Sequence, residues 1–136
     1  MRILGIDYGD RRIGLAISDR EEKLASRFLT VENKSMKNTI KEIKNIIIKE
    51  NVEKIIVGLP VGLKMESEQT AKTRLFIKEL KQKINPPIIE ANEVFTSKMA
   101  EENLLNAGIK REKIKEIIDQ EAARIILQDY LDSKFI

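Results

Sequence analysis

The chain has 136 residues, a length that fits one domain spanning 1–136, and its 42% hydrophobic and 35% charged residues are the balance of a globular protein. It contains no cysteine and no histidine, which excludes thiol nucleophiles, Ser-His-Asp chemistry, thiolate or imidazole zinc sites, iron–sulfur clusters and disulfides. The 25 Lys and Arg against 22 Asp and Glu give a net charge of +3, which permits a polyanionic partner without demanding one.

Arg2 to Asp7 is a short apolar run closed by a carboxylate, the pattern of a buried strand, and Asp7-Tyr8-Gly9-Asp10 supplies turn residues. From Arg12 to Ser18 the residues alternate, with Ile13, Leu15 and Ile17 on one side, so the first two strands should form an antiparallel hairpin. A third strand is expected from Leu24 to Val31. Met36, Ile40, Ile43 and Ile47 recur at helical spacing with lysines outside. Lys54 to Leu59 reads as a strand buried on both faces, which Pro60 should end. Ser67 is placed to cap a helix whose apolar face carries Thr73, Phe76, Ile77, Leu80 and Ile84. Pro86 and Pro87 stop that helix, and Ile88 to Ala91 is a further strand. A short helix opens at Thr96 or Ser97, runs through Leu104 and closes at Gly108. Arg111 to about Asp132 forms one long terminal helix.

The order β-β-β-α-β-α-β-α-α predicts an α/β protein. Its mixed five-stranded sheet should hold an antiparallel meander of three strands, then βαβ units, with helices on its faces. The ribonuclease H-like fold has this order. The actin and sugar-kinase ATPase half-domain shares the opening but needs a second domain to enclose nucleotide, and the initial meander disfavours a Rossmann-type sheet. No apolar run approaches the ~20 residues of a membrane span, and the apolar start is too short for a signal peptide. A soluble cytoplasmic protein with no membrane partner is expected.

With the sulfur and imidazole chemistries excluded, carboxylates are the informative residues. Asp7 emerges at the end of a buried strand, where an ionised group needs hydrogen bonds, a cation or a metal; alternatively it accepts backbone N–H groups in the turn through Gly9. Glu93 follows the Ile88–Asn92 segment and, taken alone, reads equally as a strand-end acid facing water. Asp119 shares a helix face with Ala123, Ile126 and Tyr130 and so should point at the sheet. Its other reading is a helix-dipole acid, although it lies too far into the helix to benefit. Together, two strand ends and one helix can bring three acids to one rim. Their repulsion would be relieved by Mg²⁺ or Mn²⁺, and such ions can activate a water and stabilise the leaving oxygen of an in-line phosphoryl displacement.

Four blocks then carry a resemblance. Gly5-Ile6-Asp7-Tyr8-Gly9-Asp10-Arg11-Arg12-Ile13-Gly14-Leu15-Ala16-Ile17-Ser18-Asp19 closely resembles the opening of the YqgF family. Val57-Gly58-Leu59-Pro60 is similar to its second motif, Asn92-Glu93-Val94-Phe95-Thr96-Ser97 to its third, and 119–132 to its closing helix. These are small bacterial ribonuclease H-like proteins, described as nucleases maturing the 5′ end of pre-16S ribosomal RNA and as Holliday junction resolvase-like. The resemblance implies a metal-dependent phosphodiesterase with Asp7, Glu93 and Asp119 as the acidic, metal-holding triad. Gly5, Gly9 and Gly14 would let the hairpin approach a phosphate, and Arg12 would contact it unless it is simply a solvated turn arginine. Thr96 and Ser97 would meet a phosphate or cap the following helix, the cap being favoured. The chain departs from the family in the third motif, where Asp-Glu-Arg becomes Asn92-Glu93-Val94, and in the loop Val61–Glu66, where the usual glycine has shifted. Both departures bear on substrate contact and leave the three acids in place.

The implied partner is RNA, as pre-16S rRNA or the pre-ribosome. Branched DNA is the alternative substrate, and a non-catalytic RNA-binding assembly factor is the alternative of another class. A resolvase would work as a homodimer and an RNA nuclease could work as a monomer. Lysines along the first two helices read as solvated faces, and four Phe and two Tyr are too few for a base-stacking platform.

Overall fold

The computed structural model describes residues 1–60, 67–93 and 96–133. Strands β1 (Arg2–Asp7), β2 (Arg12–Ser18) and β3 (Ala25–Glu32) form an antiparallel meander, and β4 (Val52–Pro60) and β5 (Ile88–Glu93) extend it in parallel. The sheet order is β3-β2-β1-β4-β5, so the chain crosses from the meander to the other side of β1 before adding its last two strands. Helices α1 (Met36–Lys49) and α2 (Glu68–Lys81) cover one face; α4 (Arg111–Ser133) lies on the other, with α3 (Thr96–Asn106) packed against it. The element order and mixed sheet are those expected, and the fold is ribonuclease H-like.

Local chemistry sets the boundaries. Ser35 and Ser67 cap α1 and α2 by accepting the N–H groups of Asn38 and Thr70. Gly108 takes a φ of +78° after α3, where its N–H reaches Leu105 O and that of Ile109 reaches Leu104 O. The third strand runs one residue later than expected. Pro60 is the last residue of β4 rather than a stop before it, and it pairs with Glu93, so β5 continues two residues past Ala91. Glu93 therefore belongs to the strand itself. Ile84 lies beyond the end of α2 yet still packs on the same core.

The two faces differ in what they bury. Leu4, Ile6, Ile13, Leu15, Ile55, Val57 and Phe76 fill the α1/α2 side. The α4 side is lined by Ile3, Ala16, Ala25 and Ile56 beneath Ala123, Ile126, Leu127 and Leu131. A second stripe of α4, Ala122 and Ile125 with Ile118 beside them, packs instead on Ala100 of α3. The helix is apolar on two sides because it has two partners.

Candidate active site

The rim where β1, β4 and β5 end gathers the acids. Asp7 closes β1, with Gly14 opposite it on β2 and Gly58 one residue beyond the Ile6–Val57 pair on β4. Neither flanking residue has a side chain, and both absences are required. A Cβ at Gly14 would overlap the carbonyl oxygen of Asp119 and lie 2.8 Å from its Cβ. A Cβ at Gly58 would collide with Ile126 and lie 2.9 Å from Glu93 Oε2. Bare backbone on both sides of Asp7 thus lets α4 settle onto the sheet with Asp119 above β2, and lets the Glu93 carboxylate fold in over β4.

The electrostatics agree with this geometry. The Asp7 carboxyl is pushed up to about 8, first by burial and then by the charges of Glu93 and Asp119. Burial also raises Glu93, opposed by a hydrogen bond from the Thr96 hydroxyl. Arg12 Nε donates to Asp119 Oδ2 at 3.1 Å, with the arginine side chain 55% and the aspartate 25% exposed. Arg12 thus sits at the mouth of the acidic rim.

The other residues expected here divide. Gly9 lies in the hairpin turn, where a Cβ would stand 2.5 Å from Arg12 O, and its own carbonyl accepts Asn33 Nδ2 at 2.9 Å. Gly5 and Gly14 serve close helix packing, against Leu127 and Asp119, in place of the phosphate approach expected of them. Thr96 is buried at the first turn of α3 and its hydroxyl is directed to Glu93, while Ser97 is exposed. Val94 and the loop 61–66 lie outside the described residues.

Sequence reasoning missed the clamp on the hairpin loop. Gln69 Nε2 donates to Tyr8 O at 3.0 Å, Lys72 pairs with Asp10 at 3.3 Å, and Tyr8 stacks on Phe76 with centroids 4.5 Å apart. Lys72 is thus tied to Asp10 as well as to Glu68 on its own helix, and is more than a solvated helix lysine. No spacing signal could have found contacts across some sixty residues.

Asp7, Glu93 and Asp119 offer only carboxylate oxygens, the donor chemistry of a hard divalent cation, and Asp7 is raised first by burial and then by the two neighbouring acids. Among the described residues, no three Asp or Glu side chains stand as a closed ligand set, and Asp119 is engaged by Arg12. The donor set fits such an ion by its chemistry.

The fold is that of the ribonuclease H-like proteins, with acids about the rim where β1 and β5 end. The chain belongs to the family described as RuvX, Holliday junction resolvase, whose model matches residues 1–133. This agrees with the resemblance of the four sequence blocks. A relative from Chloroflexus aggregans, provisionally named a pre-16S rRNA nuclease, is 42% identical over 133 residues, covering 97% of this chain and 94% of its own. Among solved structures, Fowlpox virus resolvase in complex with Holliday junction DNA matches with a TM-score of 0.63 at 16% identity, over 100% of both chains. Thermus thermophilus RuvC in complex with a Holliday junction matches at 0.58 and 14%, over 99% of this chain and 96% of that one. At those identities the two structures establish the fold alone.

Proposed function

We propose that this protein is a divalent-metal-dependent nuclease that hydrolyses phosphodiester bonds in the 5′ region of precursor 16S ribosomal RNA in the cytoplasm. The observation that carries the reading is the rim itself: a strand-end aspartate pushed up to about 8 by burial and by two further acids. Acids brought together in this way repel one another, and a divalent cation would relieve that repulsion.

Asp7, Glu93 and Asp119 would hold Mg²⁺ or Mn²⁺, which supplies Lewis acidity toward a water and a phosphodiester. Asp7 would hold such an ion in its deprotonated form. Thr96 orients Glu93 through its hydroxyl, and the clamp of Gln69, Lys72 and Phe76 fixes the loop that follows Asp7. Arg12 keeps Asp119 in place and adds positive charge where a phosphate would enter. Gly9 and the hairpin amides, and Ser97 at the start of α3, would be further contacts to that phosphate.

Purified protein with Mg²⁺ or Mn²⁺ should cleave precursor 16S RNA. Asp7→Asn should remove cleavage, by about a hundred- to a thousandfold or more, while its circular dichroism stays native. Undiminished cleavage by that variant ends the mechanism, and absence of carboxylate-dependent Mn²⁺ uptake in calorimetry would favour a non-catalytic RNA-binding factor. The family description supports a second reading, cleavage of branched DNA. Cutting of a four-way junction by a sedimenting dimer would select it; a monomer acting on RNA alone would select the first.

A further inference from the structure

A second polar site lies on the α4 side of the sheet, away from the acidic rim. Glu121 is 4% exposed, and both its oxygens are taken by Arg124, at 2.8 Å from Nε and 2.7 Å from Nη2. Asn103 of α3 adds a hydrogen bond at 3.3 Å. The carboxylate is therefore satisfied without further help, yet Arg27 of β3 also stands beside it at 3.9 Å, beyond hydrogen-bond distance and with its side chain 38% exposed. These groups line an open cavity of about 550 Å³ between β3, α3 and α4, where Ala25 and Ala107 leave room. Asp129 influences Arg124 electrostatically but does not line the cavity.

Among the residues lining the cavity two guanidiniums face one carboxylate, with Asp129 acting on Arg124 from outside it, so the exposed Arg27 is the cation that a further anion would meet. Arg124 is locked in plane by its bidentate pair, so little freedom remains for it to lose on binding. Planar, preorganised guanidiniums around a small open cavity suit a phosphate group.

The place in the fold relates this cleft to the acidic rim. Arg27 pairs across the sheet with Ala16, and Ala16 with Gly5, two residues before Asp7 on β1. Two strand spacings and two residues separate it from the acid, about 12 Å along the sheet. Thr30 and Gln120, joined at 3.0 Å, stand further along β3 toward the rim, while Ala16 and Gly5 on the direct line are covered by α4.

We propose that the Arg27–Arg124 cleft is a second phosphate-binding site, which grips the polynucleotide backbone outside the acidic rim. The proposal rests on the nuclease reading for its meaning, but its test does not. Binding of a single-stranded RNA 20-mer is measured by fluorescence anisotropy in EDTA over a series of salt concentrations. Arg27→Ala should weaken binding by about three- to tenfold and reduce the slope of log K against log salt by about 0.7. Arg27→Glu should weaken it further, while Lys41→Ala on the opposite face of the sheet should do little. Arg27 is chosen because removing Arg124 would leave Glu121 buried without its partner; native thermal unfolding of both Arg27 variants verifies the fold. If Arg27→Ala behaves like Lys41→Ala in affinity and slope, or if the unmodified protein fails to bind the RNA at low salt, the site is disproved. Cleavage with Mg²⁺ that persists beside an inert Arg27 removes this site and keeps the nuclease. Arg27-dependent binding without any cleavage does the reverse.

Discussion

The two faces of the sheet are built to opposite specifications. Under α1 and α2 the strands carry Leu4, Ile6, Ile13, Leu15, Ile55 and Val57, which meet Phe76, Ile77 and Leu80. Under α4 the corresponding rows carry Gly14, Ala16 and Gly58, and the helix lies so close that a methyl group at either glycine has no room. The first face buries large side chains and supplies most of the hydrophobic stabilisation. The second keeps Ile3, Ile56, Leu127 and Leu131 buried but gives up side chains at Gly14 and Gly58, so that an acid on a helix can stand beside an acid on a strand. Stability and the proposed chemistry are thus separated across a layer one strand thick.

Substitutions on either side test that separation. Ile43→Ala, at a fully buried side chain of α1, should cost about 2–5 kcal/mol of stability while cleavage per folded molecule stays near the original rate. Gly14→Ala should cost less stability, about 1–3 kcal/mol for overpacking. It should nevertheless lower cleavage by about a hundredfold, because α4 must lift and carry Asp119 away from Asp7. Denaturant melts alongside single-turnover cleavage give both numbers. A fully active Gly14→Ala protein would mean that the close approach of α4 serves packing alone.

Acidity gives the next largest effect. Asp7 is raised from 3.8 to about 8 in the folded protein, and Glu93 is raised as well. A carboxyl that binds its proton more tightly when folded stabilises the fold fully below its unfolded value and loses that contribution as pH rises through its folded value. Without divalent ions, the share of stability due to Asp7 should therefore decline from pH 4 to about 8, by up to about 1.4 kcal/mol per unit. Asp7→Asn should abolish that share of the slope. Because a cation must displace the proton, Mn²⁺ affinity should climb by up to about tenfold per pH unit below 8 and then level off. Thermal melts with and without Mn²⁺ between pH 5 and 9 read both trends; a Mn²⁺ effect independent of pH would detach the ion from Asp7.

The hydrophobic face was the more legible of the two in the sequence. Period-two alternation from Arg12 to Ser18 and helical spacing through Met36, Ile40, Ile43 and Ile47 report the burial of each segment, which is a local property. The triad was legible in part: Asp119 on the sheet-facing stripe follows from its own helix, but its seat above Gly14 depends on register between elements a hundred residues apart. Gly58 looked like part of a motif and gave no sign that it clears space for Glu93. Arg27 and Arg124 were invisible as a pair, because a bulge between Leu15 and Ala16 sets which residue of β3 faces α4. Thr96 was favoured as a helix cap, since threonine at a helix start usually caps; only the extension of β5 to Glu93 brings an acid within its reach.

Thr96 offers the finest division between the faces, because it belongs to both packing and site. It is buried, so a substitution must keep its shape; Thr96→Val does so and removes only the hydroxyl. The hydrogen bond holds Glu93 down against the upward push of burial, so its loss should raise Glu93 further. Cleavage near neutral pH should fall by about tenfold, the scale on which partners of metal-holding carboxylates act, and the acid limb of the pH–rate profile should move to higher pH. Thr96→Ser retains the oxygen and should restore both rate and limb. A capping role predicts something else: Val would lose about 1 kcal/mol of stability with the pH profile unmoved. A displaced limb rescued by serine therefore assigns the hydroxyl to the acid, and an unmoved one assigns it to the helix.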